Sequence, residues 1–261
     1  MTIGIGIGGW VFEDWRGLFY PEGLSQKKEL AYAASKLTSI EINGTYYGSQ
    51  KPETYRKWRD ETPEGFIFTL KGSRFATNRK DLSQSKDSVE KFLTSGLSEL
   101  GPRLGPINWQ FMATKKFDVE DFTNFFNLLP KSVDGVALRH AVEVRHESFQ
   151  CSEFVELARK HNIGIITSAD GEFPQIADLT SDFAYLRVMG TTAEQERGYS
   201  DADLDAWGIR IKTLLNGSVP NDLQTFASGA RSVIKDVFFY IVSGHKALNP
   251  LAAMTLIEKL K

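Results

Sequence analysis

The sequence predicts an α/β protein built as a closed parallel barrel of the TIM type, (β/α)8, or a close variant of it. Eight short β-rich runs alternate with longer amphipathic stretches, and a length of 261 residues is typical of a one-domain α/β barrel. No repeat, low-complexity segment or linker interrupts this alternation, so residues 1–261 are expected to form a single domain. A doubly wound open sheet is the alternative, because it has the same alternation.

The individual elements follow from hydrophobic periodicity and from helix-capping residues. The predicted strands are 3–8, 38–43, 66–71, 105–111, 135–144, 163–168, 183–189 and 236–242. The predicted helices are 26–36, 52–61, 86–99, 118–129, 152–161, 201–215 and 247–260. Ser25 precedes the first helix as a cap and Pro52 begins the second. The connection between the sixth and seventh strands is short and irregular, which predicts that one helix is missing there.

Composition places the chain among ordinary globular proteins, with 41% hydrophobic and 25% charged residues. A net charge of −2 provides no overall attraction to nucleic acid or to an anionic membrane. The single cysteine, Cys151, excludes an internal disulfide and suits a reducing compartment. No apolar run approaches the roughly 20 residues that span a bilayer. We therefore expect a cytoplasmic protein without a membrane segment.

Charged and amide side chains interrupt strands that otherwise read as buried. Successive side chains of a strand point to opposite faces, and in a barrel one face meets the helices while the other fills the interior. The polar residues that share the predicted interior face are Glu41, Asn43, Thr69, Lys71, Asn108, Gln110, Glu143, Arg145 and Arg187. Burying a charge costs several kcal/mol unless the charge is paired. Nearly all of these residues lie late in their strands, so they predict a site at the C-terminal mouth of the barrel.

The types of these residues suggest binding of an anion, with acid–base chemistry beside it. Lys71, Arg145 and Arg187 outnumber Glu41 and Glu143, and phosphate and carboxylate groups both suit Arg and Lys clusters. Further basic residues are predicted nearby: Arg74, Arg79, Lys80 and Arg139.

Each candidate residue has a predicted role. The catalytic candidates are Glu41 and Glu143, as general acid and base, and Lys71, as a nucleophile toward a carbonyl if the arginines lower its pKa. The predicted substrate-binding residues are Asn43, Tyr46, Gln110, Arg145, Arg187, Trp10 and Asp170. The leading hypothesis is an enzyme that acts on a small phosphorylated or carboxylated substrate.

The same residues are compatible with three other roles for the barrel mouth. The charged residues could form a buried salt-bridge network that only closes the barrel. The mouth could bind nucleic acid, with basic groups on phosphates and aromatic rings on bases, although the net negative charge argues against this. The protein could also bind a ligand without turning it over.

No cofactor is predicted. Glu41, Glu143 and Asp170 could hold Mg²⁺ or Mn²⁺ as an oxygen-rich site, but this interpretation is disfavoured. The four histidines lack the spacing of a zinc site. The G-x-G-x-x-G spacing of residues 4–9 lies within a predicted strand and opens no helix, so it does not indicate a dinucleotide fold.

Several motifs also resemble those of one known family across essentially the whole chain. They are Gly8-Gly9-Trp10, Trp15–Pro21, Ile40–Tyr47, Thr62–Phe66, Phe68–Lys71, Ala141–His146 and Tyr185–Arg187. This set resembles the YecE-like family, also called domain of unknown function seventy-two. The resemblance implies a TIM-barrel-like fold and implies no reaction, because none is established for the family.

The chain departs from the pattern of that family at three positions. Asn78 stands where the family commonly has the histidine of a Thr-His pair, and Met189 stands where it has the histidine of an "RLHG" run. Ser243 lies in a run that commonly ends in "FNN". If those family residues carry chemistry in relatives, the differences predict a changed or lost activity in this chain.

Overall fold

Eight parallel strands close into a barrel in this computed structural model, which describes residues 1–228 and 233–261. The barrel strands are β1 (Thr2–Gly8), β2 (Ser39–Ile42), β3 (Ile67–Lys71), β4 (Leu104–Gln110), β5 (His140–Glu143), β6 (Gly164–Ala169), β7 (Phe183–Val188) and β8 (Asp236–Ile241). Each strand pairs with its neighbours along the chain, and β1 pairs with β8 to complete the circle. The predicted (β/α)8 class is confirmed, and the open sheet is excluded.

Helices connect most of these strands. The α-helices are α1 (Glu29–Lys36), α2 (Gly44–Tyr47), α3 (Pro52–Asp60), α4 (Arg74–Thr77), α5 (Lys86–Leu93), α6 (Val119–Asn127), α7 (Ser152–Lys160), α8 (Asp201–Leu215) and α9 (Asn249–Leu260). Short 3-10 turns lie at Glu13–Trp15, Gln26–Lys28, Leu82–Ser85, Leu97–Arg103, Glu147–Phe149 and Lys246–Leu248. Residues 170–182 contain no helix, so the missing helix between the sixth and seventh strands is confirmed.

One predicted strand begins later than expected and one predicted helix ends earlier, and residues with positive φ lie at both places. The predicted strand 135–144 is a short hairpin, Ser132–Val133 with Val136–Ala137, followed by β5. Asp134 and Gly135 form its turn with φ of 48° and 77°. The predicted helix 86–99 stops at Leu93, because Gly96 takes φ of 100° and a 3-10 segment follows.

The barrel separates two apolar regions. The larger core lies between the strands and the helices, and it includes buried Ile40, Ile42 and Trp109. The interior has its own small apolar cluster, composed of Ile67, Ala141, Ile166, Phe183, Tyr185, Phe238 and Tyr240. Polar side chains lie beyond that cluster, toward the C-terminal ends of the strands. The barrel interior is therefore filled with side chains, and the charged ones lie at its C-terminal end.

Glycines on β1 allow the barrel to close tightly. A Cβ atom at Gly6 would lie 1.8 Å from the Ser39 carbonyl oxygen of β2, and one at Gly4 would lie 2.9 Å from the Phe238 ring. Only glycine fits where strands approach so closely. As for membrane insertion, no helix in the described parts of the chain is long and apolar enough to cross a bilayer.

Candidate active site at the barrel mouth

Five charged side chains from four strand ends meet at the C-terminal mouth: Glu41, Lys71, Glu143, Arg145 and Arg187. We call this set the mouth ring. Lys71 and Glu143 are the last residues of β3 and β5, and Arg145 follows two positions beyond β5. The alternation of the strands places their apolar neighbours against the helices, so these charged groups are directed into the barrel.

Arg187 is the hub of the mouth ring. Its Nε and Nη2 donate to Glu41 Oε2 and Oε1 at 3.1 and 3.0 Å, a bidentate pair. Its Nη1 donates to Glu143 Oε2 at 2.7 Å. Burial disfavours the guanidinium, but the two glutamates outweigh that effect and raise the pKa of Arg187. One arginine on β7 thus joins β2 and β5, two strands that do not pair with it.

Every carboxylate oxygen of the two glutamates accepts at least one hydrogen bond. Glu143 Oε1 accepts from Arg145 Nε at 2.9 Å and from Arg145 Nη2 at 2.7 Å, and Glu41 Oε2 accepts from the Tyr185 hydroxyl at 2.5 Å. Asn108 Nδ2 lies between them, 3.4 Å from Glu41 Oε2 and 3.2 Å from Glu143 Oε2. Both carboxylates are fully buried.

Both glutamates are ionised despite their burial. Burial alone would raise the pKa of Glu143, but Arg187, Arg145 and Lys71 outweigh it and lower that pKa to about 2. The same balance, with Arg187 and Lys71 as the main cations, lowers the pKa of Glu41. These groups therefore carry negative charge at any physiological pH.

Lys71 differs from the other cations of the mouth ring. It is only 9% exposed, yet no carboxylate of residues 1–228 or 233–261 forms an ion pair with its Nζ. Burial, reinforced by the charge of Arg187, lowers the pKa of Lys71 to about 8, although Glu41 and Glu143 act in the opposite direction. The Tyr46 ring centroid lies 5.7 Å from Nζ. Lys71 is thus a buried amine whose proton is weakly held.

Arg145 connects the mouth ring to a neighbouring cavity. Its Nη2 donates to Gln110 Oε1 at 2.9 Å, and the Phe173 ring centroid lies 4.2 Å from the guanidinium carbon. The cavity has a volume of about 710 Å³, and Arg145, His146, Phe173 and Gln175 are among the side chains that line it. A ligand on Arg145 would have room to extend in this direction.

Several buried polar atoms at the mouth lack a hydrogen-bond partner among the described residues. They are Asn43 Oδ1, Asn108 Oδ1 and Ser168 Oγ. Ser168 lies on β6 directly beside Arg187 in the strand register. Unsatisfied buried polar groups are rare in folded proteins and are among the features of functional sites.

Some predicted residues lie with the mouth ring and others do not. Gln110 contacts Arg145 and the Tyr46 ring faces Lys71, while Asn43 directly follows β2. The Trp10 ring packs edge-on against Trp58 at 5.3 Å and contacts Phe68, whose side chain belongs to the helix-facing core. The predicted binding roles themselves stay predictions.

Asp170 is engaged elsewhere. Its Oδ2 accepts from the Tyr199 hydroxyl at 2.8 Å and from Trp207 Nε1 at 3.1 Å, so it fastens the segment around α8 to the end of β6. In the described chain no three His, Cys, Asp or Glu side chains are grouped closely enough to hold a metal ion. The oxygen set Glu41, Glu143 and Asp170 therefore does not form.

The grouping of Arg139 with the mouth was wrong. Arg139 precedes β5 and pairs with Asp236 at the start of β8, at 2.5 Å, which is the N-terminal end of the barrel. Parallel strands begin at one end and finish at the other, so a residue before a strand cannot reach the mouth. The predicted strand 135–144 contained Arg139, and only the shorter strand His140–Glu143 places it before the strand.

Sequence reasoning missed two members of the site, Tyr185 and Ser168. Tyr185 lies two positions before Arg187 on β7, so both side chains share the interior face. Its hydroxyl donates a hydrogen bond to Glu41. The alternation of side chains along β7 indicated that Tyr185 faces the interior, but an aromatic residue in a strand is usually assigned to the apolar core. Burial and Glu41 together raise the pKa of Tyr185 well above its usual range, so the phenol stays protonated and donates.

The three departures from the family pattern lie outside the mouth ring. Asn78 Oδ1 accepts a long hydrogen bond, 3.4 Å, from the Tyr46 hydroxyl. The Met189 side chain lies near Gly171, in the loop after β6. The Ser243 carbonyl oxygen accepts from the Thr191 hydroxyl at 2.9 Å.

Known proteins support the fold directly. A DUF72 family protein from Thermotoga maritima has a similar structure, with a TM-score of 0.76 and 23% identity over 100% of this chain and 99% of that one. A DUF72 family protein from Enterococcus faecalis gives a TM-score of 0.69 at 14% identity, over 99% of this chain and 95% of the other. Structural likeness at these identities establishes the fold alone.

Sequence comparison gives the family. The chain is 31% identical over 145 residues to UPF0759 protein YecE of Escherichia coli K12, which is 56% of this chain and 49% of YecE. It is 32% identical over 100 residues to UPF0759 protein YunF of Bacillus subtilis, 38% of this chain and 34% of YunF. The matches thus span about half, or less, of these relatives. The family profile described as "Protein of unknown function DUF72" matches residues 4–261, so the chain belongs to the DUF72 family.

Proposed function

We propose that this protein is an enzyme whose barrel mouth binds a small anionic substrate, with a phosphate or carboxylate group held by Lys71 and Arg145. The observation that carries the proposal is the buried Lys71 ammonium, which has no ion pair with a described carboxylate. The glutamates already accept hydrogen bonds on every oxygen, from Arg187, Arg145, Asn108 and Tyr185. One positive charge of the mouth ring is therefore left for a ligand.

The charge balance supports an anion rather than a cation or a neutral ligand. Three basic side chains face two acidic ones, and opposite charges attract strongly where water is excluded. Arg145 Nη1 makes no hydrogen bond to a described residue, so this guanidinium retains a donor for a ligand as well. The C-terminal mouth is also where TIM-barrel enzymes place their active sites.

The roles within the site follow from protonation. A general acid or base works best with a pKa near the operating pH. Glu143, with a pKa of about 2 and both oxygens occupied, is better suited to holding Arg187 and Arg145 than to transferring protons. Lys71 lies much closer to neutrality and is the stronger candidate for proton transfer or nucleophilic attack.

The test is a thermal-shift titration with inorganic phosphate, pyruvate and ribose 5-phosphate on the wild type, Lys71→Met and Arg145→Gln. An anion at 100 times its Kd adds about 2.7 kcal/mol of stability, which is easily seen as a shift of Tm. We expect at least one anion to stabilise the wild type and to stabilise both variants much less.

Lys246→Met is the matched control, because Lys246 is also a partly buried lysine with a lowered pKa but contacts Phe12 and Trp15 instead of the mouth ring. It should respond like the wild type. Stabilisation that survives in both Lys71→Met and Arg145→Gln would refute the proposed site.

Nucleic-acid binding is the second candidate, supported by one specific observation. Tyr47 and Phe75 are 64% and 57% exposed, and the Arg74 guanidinium carbon lies 5.5 and 5.3 Å from their ring centroids. Exposed rings beside a basic group suit stacking on single-stranded bases. Binding of oligo-dT that weakens steeply with salt and is lost in a Tyr47→Ala/Phe75→Ala variant would favour this function.

A further inference from the structure

We propose that Lys71 acts as a nucleophile and forms an imine with an aldehyde or ketone carbonyl of the anionic substrate. This inference rests on the proposed anion binding at the mouth and adds the class of substrate. It assigns the chemistry to the amine of Lys71 instead of to the buried glutamates.

The surroundings of Lys71 differ from those of structural lysines in the same chain. Lys115 Nζ pairs with Asp121 at 2.5 Å, and Lys259 Nζ pairs with Asp205 at 2.7 Å. Lys71 is buried at the end of a barrel strand, without such a partner in the described chain. An ion pair would keep the lone pair of the nitrogen protonated and unavailable, so the lack of one is what a nucleophile needs.

The hydrogen bonds that Glu41 and Glu143 already accept contribute to this arrangement. Because Arg187 and Arg145 occupy their oxygens, Glu41 and Glu143 exert only a longer-range attraction on Lys71. With a pKa of about 8, a much larger fraction of Lys71 is free amine near neutral pH than of an ordinary lysine. The mouth ring thus supplies both a binding charge and a reactive amine.

The chemical step balances without an oxidant or reductant. The Nζ lone pair forms a bond to the carbonyl carbon while the C=O π electrons move to oxygen, which gives a carbinolamine after proton transfer. Loss of the hydroxyl with a proton releases one water and leaves a C=N bond, which becomes an iminium by taking a proton from solvent. The iminium keeps the positive charge that Glu41 and Glu143 attract, so it fits the same place as the ammonium.

The experiment uses pyridoxal 5′-phosphate, an anionic aldehyde, as the probe on the intact wild-type chain. Sodium cyanoborohydride reduces any imine to a stable secondary amine, and peptide mapping by mass spectrometry identifies the modified lysine. We expect modification to concentrate at Lys71, to be competed by inorganic phosphate, and to fall strongly when pyridoxal, which lacks the phosphate, replaces the probe. The rate of imine formation, before reduction, should rise with pH about a midpoint near 8, because only the free amine attacks the carbonyl.

Two variants serve as controls. Lys71→Arg keeps the positive charge and should lose the adduct, whereas Lys246→Arg removes another lysine of lowered pKa and should leave the adduct at Lys71 unchanged. Because the modified residue is located in the wild type, the result does not depend on either variant folding.

The outcomes separate the two proposals. If phosphate stabilises the wild type through Lys71 and Arg145 but the adducts lie on Lys246 or are spread over surface lysines, the imine is refuted and anion binding stands. If phosphate neither stabilises the protein nor competes with the probe, and Lys71 is not modified, both proposals are refuted.

Discussion

The two ends of the barrel handle charge in different ways. At the N-terminal end the described ion pairs match one cation with one anion: Lys235 pairs with Asp182, and Arg139 pairs with Asp236, which also accepts the Thr2 N–H at 2.7 Å. The Arg139 and Asp236 side chains are 28% and 16% exposed, so water shares in their solvation. At the C-terminal mouth three cations meet two anions, and the glutamates are fully buried with Arg187 5% exposed.

We expect this difference to distinguish ion pairs that only close the barrel from charges that bind a ligand. A pair that only closes the barrel cancels locally and stays close to water, where the cost of desolvation is small. The mouth ring bears a larger desolvation cost and still leaves one cation without an ion pair among the described residues. A purely structural network accounts for Arg187 and its two glutamates, but it does not account for Lys71.

The largest effect expected is the loss of the hub of the mouth ring. Arg187→Ala leaves two buried carboxylates without their shared partner, and breaking a buried pair in this way costs about 3–5 kcal/mol of unfolding free energy. Urea denaturation measures it. Arg145→Ala is the comparison variant: it removes one partner of Glu143 from a more exposed position and should cost less.

Neutralising the glutamates tests whether the lost stability comes from buried charge or from packing. Adding Glu41→Gln and Glu143→Gln to Arg187→Met removes the unpaired charges and should recover a large part of the lost stability, because the cost arises from buried charge. A triple variant as unstable as Arg187→Ala alone would show that the loss comes from packing instead.

The second prediction concerns Lys71, whose removal should stabilise the protein. A folded-state pKa of about 8, below the unfolded value near 10.4, means that burying the ammonium costs stability on the order of 3 kcal/mol at pH 7. Between these two values the unfolded chain binds more protons than the folded one, so this cost disappears as pH rises from 8 to 10. Lys71→Met should therefore be more stable than the wild type by roughly 1–3 kcal/mol at pH 7, with a smaller gap at pH 10.

Urea denaturation at both pH values measures the gap. Lys115→Met is the control, since Lys115 is paired with Asp121 and its loss should lower stability at pH 7. A gap between the wild type and Lys71→Met that stays constant from pH 7 to pH 10 would contradict the lowered pKa of Lys71. Gain of stability on removing a group is typical of functional residues held in an unfavourable state.

Much of this architecture could be predicted from the sequence, because the faces of a strand that are buried in different surroundings have different residue types. Glu41, Lys71, Glu143 and Arg187 alternate with apolar residues on short strands, and this pattern placed them on one interior face near the mouth. The missing helix after β6 followed from the lack of any amphipathic stretch between Ala169 and Phe183.

Pairing within the site could not be predicted, because it depends on which strand ends face each other across the barrel. The sequence gives no reason for Arg187, rather than Lys71, to take both glutamates, or for Asp170 to turn toward Tyr199 and Trp207. Tyr185 was missed for a related reason. Its ring belongs to the interior apolar cluster while its hydroxyl belongs to the site, and residue type alone does not reveal such a division.

The smallest expected effect concerns the ion pair at the N-terminal end of the barrel. Arg139→Ala should cost only about 1 kcal/mol, because the pair with Asp236 is partly solvated, and added salt should reduce the difference from the wild type. Phosphate binding should be unaffected, since Arg139 lies at the end opposite Lys71. If Arg139→Ala instead destabilised the protein as much as Arg187→Ala, depth of burial would not distinguish the two ends. The surplus charge at the mouth would then have to be explained by something other than the demands of a ligand.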